Sequence, residues 1–295
     1  MTAVESVLGQ TMSDLELIVC DDSSSDQTSD VLGRLRDPRI RVLRNAVNMG
    51  PGVSRDKAIN VARGVWLAVI DGDDAWRPNR LERLLEVAAN DRDVLVFDDL
   101  MVCHDSEGAL VPWRPVHGCF AFGTDGSNAH DISLEDYIRA ERLLIKPMMP
   151  LRFIREHGVR HTTRRFAEDA EFFIRLGVAG ATMRYLPEPL YLYRVSPGSL
   201  TALSGDWTLM RRCLEDCLRW EGMPDTVREA LADKVAALLT NEALYELAQQ
   251  ARRGNLVGML RLVSKEPRIL RVLPRRLVRH LSYQVHRIKY RAQGR

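Results

Sequence analysis

The sequence has no long apolar run. Its longest stretches, such as Val65 to Ile70, fall far short of the roughly 20 residues that a bilayer-crossing helix needs, so no spanning segment is expected. Nor do the first residues carry a basic patch followed by an apolar core, the pattern of a secretory leader. Cysteine is scarce and odd in number: Cys20, Cys103, Cys119, Cys213 and Cys217 stand at irregular spacing. That argues against a disulfide framework and fits a reducing, cytoplasmic setting. Cys213 and Cys217 lie one helical turn apart with no His or Cys pair nearby, which points to buried packing and away from a metal site.

What remains is the material of an ordinary folded protein. The chain has 295 residues, 45% hydrophobic and 28% charged, enough for one large α/β domain with an appendage. The net charge of +2 hides an asymmetry. From Ser264 to Arg295, ten Lys/Arg face a single acid, Glu266, so this tail carries +9 and leaves the body at −7.

From Glu5 to Arg194 short strand-like runs alternate with helical segments, the pattern of crossover connections and a largely parallel sheet. Strands are expected at 16–20, 39–43, 65–70 and 94–97, and at 181–186 and 190–195 with a Pro-Glu-Pro turn between the last two. Helices are expected at 3–10, 29–35, 53–63, 79–90 and 167–177. The Gly-, Pro-, His- and Ser-rich stretch from His104 to Ile132 reads as a long loop or lid. Beyond Gly205 only helices are expected, chiefly 206–220 and 226–253. The expected division is a catalytic domain over 1–203 and a helical region over 204–295.

Asp71 and Asp73 follow a strand, at the edge where open α/β sheets usually bind ligands. Carboxylates there suit Mg²⁺ or Mn²⁺, which bind through one or two acids together with substrate phosphates. An acidic turn capping the next helix would look the same in isolation. Asp21-Asp22-Ser-Ser-Ser-Asp26 ends another strand, where acids and hydroxyls can accept from a nucleobase and a ribose, or simply cap a helix. Arg55, on the first turns after Gly50-Pro51-Gly52, is placed to face phosphates or plain solvent.

Taken together, Ser6-Val-Leu-Gly-Gln-Thr11, Asp14 through Asp26, Asn48-Met-Gly50, Ser54-Arg55, Asp71-Gly-Asp-Asp-Ala-Trp76, Pro78, Glu168-Asp169 and Tyr191-Leu-Tyr-Arg194 resemble the family 2 glycosyltransferases in order and spacing. The resemblance covers about residues 3–201. It implies a GT-A fold: a three-layer α/β sandwich with a mostly parallel sheet, here with a helical C-terminal extension. It also implies a nucleotide-sugar donor, a divalent metal, and inversion at the anomeric carbon. Carried over by position, Asp22 matches the nucleobase contact, with Ser24 beside it in the donor site. Arg55 matches the arginine near the diphosphate, Asp71 the ribose-side acid, Asp73 the metal ligand and Asp169 the catalytic base. Asp74, Glu168 and Arg194 stand as supporting residues. Glu168 beside Asp169 sets two like charges together, which opposes ionisation of such a pair. Residues 166–201 resemble bacterial exopolysaccharide enzymes of the succinoglycan type, which makes a UDP-glucose-like donor and a saccharide or lipid-linked acceptor the expectation.

The departures are informative. Ser23 stands where the family prefers Gly, Asp56 where Asn often follows the Arg, and Val195-Ser196 where a basic residue often follows the Tyr-Arg pair. The sequence also opens on a helix where the family opens on a strand, so either the start is internal to a longer reading frame or the donor site is incomplete. Leu273, Leu277, Leu281, Val285 and Ile288, flanked by arginines, make residues 273–291 a basic amphipathic helix. Such a helix suits an anionic membrane surface at the inner face of the cell membrane, or packing back on the catalytic domain, with nucleic acid not expected as a partner. Two other readings carry less: a degenerate nucleotide-binding domain, and a phosphoacceptor receiver. The receiver lacks its lysine, since none occurs between Lys57 and Lys146.

Overall fold

The computed structural model describes residues 2–89, 91–106, 109–117, 122, 128–195 and 207–270. The basic segment 273–291 lies outside them. The chain runs through α1 (Thr2–Leu8), β1 (Leu17–Asp21), α2 (Thr28–Gly33), β2 (Ile40–Arg44), α3 (Pro51–Val61), β3 (Trp66–Ala68), β4 (Ala75–Trp76) and α4 (Arg80–Ala88). There follow β5 (Val94–Ser106), β6 (Ala109–Pro115), β7 (His130–Ile132), α5 (Leu134–Arg139), β8 (Met148–Pro150), α6 (Leu151–Glu156), α7 (Glu168–Val178) and β9 (Thr182–Val195). Three helices close the described chain: α8 (Trp207–Cys217), α9 (Asp225–Arg252) and α10 (Leu256–Lys265).

The centre is β5, and its sequence explains why. Val94-Leu-Val-Phe97 has no exposed surface, and alternate residues face opposite layers as a strand's period of two requires. Leu95 and Phe97 pack with α5 and α7, while Val94 and Val96 pack with Leu84 and Ala88 of α4. A strand buried on both faces reads as a continuous apolar run, and this one does. The outer helices join the first of these cores: Cys213, Leu214 and Cys217 of α8 and Val227 and Leu231 of α9 are buried with it. The two cysteines are thus packed side chains, as their spacing suggested.

The layered sandwich stands, but the sheet is mixed where the sequence pattern suggested mostly parallel strands. One sheet has the order β3-β8-β5-β9-β4, with β6 on β5 and β7 on β9; a second contains only β1 and β2. Pairing is parallel in β1–β2 and β5–β9 and antiparallel elsewhere. The antiparallel partners hid in two places. The stretch expected as a loop from His104 contains the end of β5, the returning hairpin strand β6, and β7. The two strands expected at 181–186 and 190–195 are one, β9, whose register against β5 slips between Leu186 and Tyr191. Pro187 and Pro189 cannot donate to a ladder, so the strand bulges there without ending.

The two sheets do not meet. Between β1 and β3 lies a cavity of about 1090 Å³, lined by apolar residues along its length and by Asp22, Ser54, Arg55 and Asp71. Accordingly β3, expected as buried over 65–70, is shorter and half-buried, and Val65 is 66% exposed.

Candidate active site

Four distant parts of the sequence converge at one end of this cavity. Helix α3 begins after Gly50, whose φ of 89° is the left-handed region that glycine tolerates. Gly52 then allows close approach, since a Cβ there would come within 2.7 Å of the Thr162 carbonyl. This brings Arg55, one turn on, against the start of α7. Its guanidinium donates to Glu168 Oε1 at 2.6 Å and to Asp71 Oδ1 at 2.8 Å. The other oxygen of Asp71 accepts from Lys146 Nζ at 2.7 Å, and the same ammonium lies 3.5 Å from Asp169 Oδ2. Lys146 itself is only 4% exposed.

The cluster sets two cations, Arg55 and Lys146, against three acids, Asp71, Glu168 and Asp169. Burial acts to raise the Asp71 pKa, but the Lys146 and Arg55 charges outweigh it and hold the carboxyl far below its usual range. Burial likewise disfavours the Lys146 ammonium, and Asp71 and Asp169 reverse that, so its pKa is raised. The like-charged pair expected at the helix start is therefore not left to itself. Arg55 takes Glu168 and Lys146 takes Asp169. Asp169 keeps a second anchor, Oδ1 accepting from the Ala170 amide at 2.8 Å in the first turn of α7, where the helix dipole also favours an anion.

Asp73 stands apart. It is exposed and its side chain joins none of these pairs; its backbone carbonyl accepts from Arg194 Nε at 2.6 Å. Arg194 also pairs with Asp105, and its amide donates to Asp74 Oδ1 at 2.8 Å, which fastens the turn after Asp71 from the side. Asp74 is buried and receives the Tyr191 hydroxyl at 2.6 Å, and that hydroxyl accepts from the Asp71 amide at 3.2 Å. Burial and the nearby Asp71 charge push the Asp74 carboxyl up to about 7. Asp74 thus shapes the turn, and Asp73 is the uncommitted acid on it. No group of three or more acids, histidines or cysteines able to enclose a metal occurs among the described residues. One free carboxylate on the turn after Asp71 nevertheless fits Mg²⁺ or Mn²⁺, which bind through one or two acids and complete their shells with phosphate and water.

Asp22 sits across the cavity mouth. Its carboxylate accepts from Asn45 Nδ2 at 2.8 Å and from the Met49 and Gly50 amides at 2.7 and 2.8 Å. Burial is outweighed by these bonds, and the pKa is lowered. Its observed work is therefore to hold the turn that launches α3. Ser24 closes the preceding turn, its amide donating to Asp21 Oδ1 at 2.9 Å. Ser23 has φ of 64°, a left-handed conformation that explains why glycine is preferred there. Asp56, another departure, accepts from His161 Nδ1 at 2.7 Å. Beneath the site Arg80, fully buried, forks onto Asp98 at 2.7–3.1 Å and donates to the Lys146 carbonyl at 2.5 Å.

The structure thus joins Arg55, Asp71 and Glu168 directly and Asp169 through Lys146, keeps Asp73, Asp74 and Arg194 together at the turn after Asp71, and leaves Asp22 on the cavity lining with Ser24 in the turn after β1. Reading the sequence missed Lys146. Its signal was slight: one cation inside the apolar run Leu143-Leu-Ile-Lys-Pro-Met-Met149, at the start of a strand.

Comparison with known proteins gives likenesses of family and fold. Residues 2–143 match the family model described as Glycosyl transferase family 2. Succinoglycan biosynthesis protein ExoO of Rhizobium meliloti (strain 1021) is 26% identical over 284 residues, 92% of this chain and 79% of that one. An Escherichia coli protein, UDP-Glc:alpha-D-GlcNAc-diphosphoundecaprenol beta-1,3-glucosyltransferase WfaP, is 34% identical over 102 residues, 35% of this chain and 41% of that one. Among solved structures, S. aureus TarS 1-349 in complex with UDP-GlcNAc superposes with a TM-score of 0.60 at 16% identity, covering 90% of this chain and 87% of that chain. That likeness is one of fold.

Proposed function

We propose that this chain, which belongs to the family 2 glycosyltransferases, is an inverting enzyme that passes a sugar from a UDP-hexose to a saccharide or lipid-linked acceptor in polysaccharide assembly. The observation that carries the reading is the junction of Arg55, Lys146, Asp71 and Asp169 at one end of the cavity, with Asp73 free beside it. Inversion needs a base on one side of the anomeric carbon and positive charge on the other. Asp169 takes the proton of the acceptor hydroxyl as its oxygen attacks that carbon. The bond from the carbon to the diphosphate oxygen breaks, and the nucleoside diphosphate leaves with the electron pair. Arg55 and Lys146 supply positive charge near the leaving group, and Asp71 fixes where both cations point. A divalent metal held through Asp73 and the donor phosphates would supply further charge neutralisation there. The names of the relatives support the donor and acceptor: one works on UDP-Glc and a diphosphoundecaprenol-linked sugar, another in succinoglycan synthesis.

A panel of UDP-, GDP- and dTDP-hexoses, read by release of the nucleoside diphosphate with Mn²⁺ or Mg²⁺ present, tests the donor. Release of UDP at least tenfold faster than GDP or dTDP is expected. Preference for a GDP- or dTDP-sugar would contradict the donor reading and leave the site assignment to be judged separately.

A further inference from the structure

The ladders of the sheet stop short of the residues that meet at the cavity. Pairing of β3 with β8 runs from Trp66 to Ala68 on one strand and from Met148 to Pro150 on the other. Asp71 lies three residues past the first, and Lys146 two residues before the second. Lys146 also precedes Pro147, which biases its backbone to the extended region but does not say where its ammonium points. A buried guanidinium does that.

Arg80, the first residue of α4, has no exposed surface. Its Nε lies 3.0 and 3.1 Å from the two oxygens of Asp98, and its Nη2 lies 2.7 Å from one of them. Nη2 donates also to the Lys146 carbonyl at 2.5 Å. The guanidinium carbon stands over two rings, 4.7 Å from the centre of Trp76 and 5.1 Å from that of Tyr191. Tyr191 in turn fixes the acidic turn, its hydroxyl accepting from the Asp71 amide and donating to Asp74 Oδ2. These contacts close a ring. From Arg80 one arm runs through the Lys146 backbone to its ammonium, and the other through Tyr191 to Asp71. The arms meet where Lys146 Nζ donates to Asp71 Oδ2 at 2.7 Å. A planar fork can hold a carboxylate, a carbonyl and two aromatic faces at once, whereas a lysine ammonium has no flat face and no second edge.

We propose that Arg80 is a positioning residue for the transfer, a role that rests on the function proposed above: through this ring it sets the Lys146 ammonium between Asp71 and Asp169. Packing alone does not call for it, because a buried ion pair is often replaced by apolar residues of similar volume without loss of stability. Position does. The ammonium lies 2.7 Å from Asp71 and 3.5 Å from Asp169, and a misplacement of about 1 Å in such a site can cost about 100-fold in rate.

The test separates position from packing. Arg80→Met combined with Asp98→Leu removes both buried charges together and leaves neither alone, so the melting temperature should stay within about 5 °C of wild type. With the nucleotide sugar that the wild type turns over best, kcat should fall about 10- to 100-fold and donor KM should change by less than about threefold. On a Lys146→Met background the same pair should lower kcat by less than about twofold more, since residues that act as a unit are not additive. Wild-type kcat in the paired variant, or a full second loss on the Lys146→Met background, would overturn the proposal. Arg80→Lys covers a paired variant that melts early: it keeps a charge against Asp98, cannot reach the Lys146 carbonyl as well, and should show the same loss of kcat. Crystal structures of wild type and Arg80→Lys need no turnover, and the Lys146 ammonium should lie about 1 Å or more farther from Asp71 in the variant. An unmoved ammonium would overturn the proposal even with the donor reading intact. A moved one in a protein whose wild type transfers no sugar would fault the proposed function and leave the Arg80 ring standing.

Discussion

Two strands carry nearly the same text and lead different lives. Leu17-Ile-Val-Cys-Asp-Asp22 forms β1 and Val94-Leu-Val-Phe-Asp-Asp99 begins β5, each an apolar run ending in paired acids. Residues Val94 to Phe97 have no exposed surface, whereas Ile18 to Cys20 are half-buried. The difference lies in the neighbours. β5 runs between β8 and β9 under two helical layers, while β1 pairs only with β2 and borders the cavity. The acids diverge in the same way. Asp98 is sealed against the buried Arg80 guanidinium, but Asp21 and Asp22 are held by a hydroxyl, a side-chain amide and backbone N–H groups with no buried cation beside them. Burial is a property a strand receives from its flanks. The charged cluster sits on the seam: α7 and the segment before β8 bring Asp169 and Lys146 from the packed side, and α3 and the turn after β3 bring Arg55 and Asp71 from the open side.

The contrast is broken most forcefully at the two acid pairs. Asp98→Ala leaves the Arg80 guanidinium buried without its carboxylate and should cost about 3–5 kcal/mol, a fall in melting temperature of roughly 10 °C. Asp21→Ala, whose partners can turn to water, should cost about 1 kcal/mol. Equal losses in thermal melts would abolish the distinction. Lys146→Met sharpens the seam. Replacing one member of a buried cluster by an apolar side chain of similar length leaves a charge imbalance at Asp71 and Asp169, so kcat should fall about 10- to 100-fold, well beyond any change in donor KM. Unchanged kcat would remove Lys146 from the site.

A pH-dependent effect lies on the packed side, at Lys234 of α9. Its ammonium donates to the Ala140 and Glu141 carbonyls, yet burial pushes its pKa down to about 8. The unfolded chain has a lysine pKa near 10.4. Between these values the unfolded state binds more protons, so this residue's contribution to stability rises with pH from about 8 to about 10.4. Melting wild type and Lys234→Met across pH 7 to 10.5 should show the wild type gaining about 3 kcal/mol relative to the variant. Parallel curves would contradict it.

Much of the site was legible because its residues fall in spaced motifs. Arg55, Asp71, Glu168 and Asp169 were each ambiguous alone; the structure joins the first three by direct ion pairs and Asp169 to them through Lys146. Asp22 was legible as a site residue but not in its bonding, since backbone N–H groups at Met49 and Gly50 leave no trace in sequence. Lys146 was illegible for the opposite reason: a lone lysine carries no spacing, and its partners lie 75 and 23 residues away. The longer helices of the core followed from periodicity, while the six-residue helices α5 and α6 are too short to show one and were not expected. The strands β6 and β7 did not, because Gly, Pro and Ser in their surroundings imitate a loop, and pairing to β5 and β9 overrides that local signal.

The central claim is that Asp169 serves as the base within this cluster. Its direct test is turnover of the preferred nucleotide sugar with acceptor, comparing wild type with Asp169→Asn, which keeps the shape and the acceptor oxygen facing the Ala170 amide. The account expects kcat to fall about 10²- to 10⁴-fold with donor binding preserved. An Asp169→Asn enzyme that transfers sugar at the wild-type rate would contradict it.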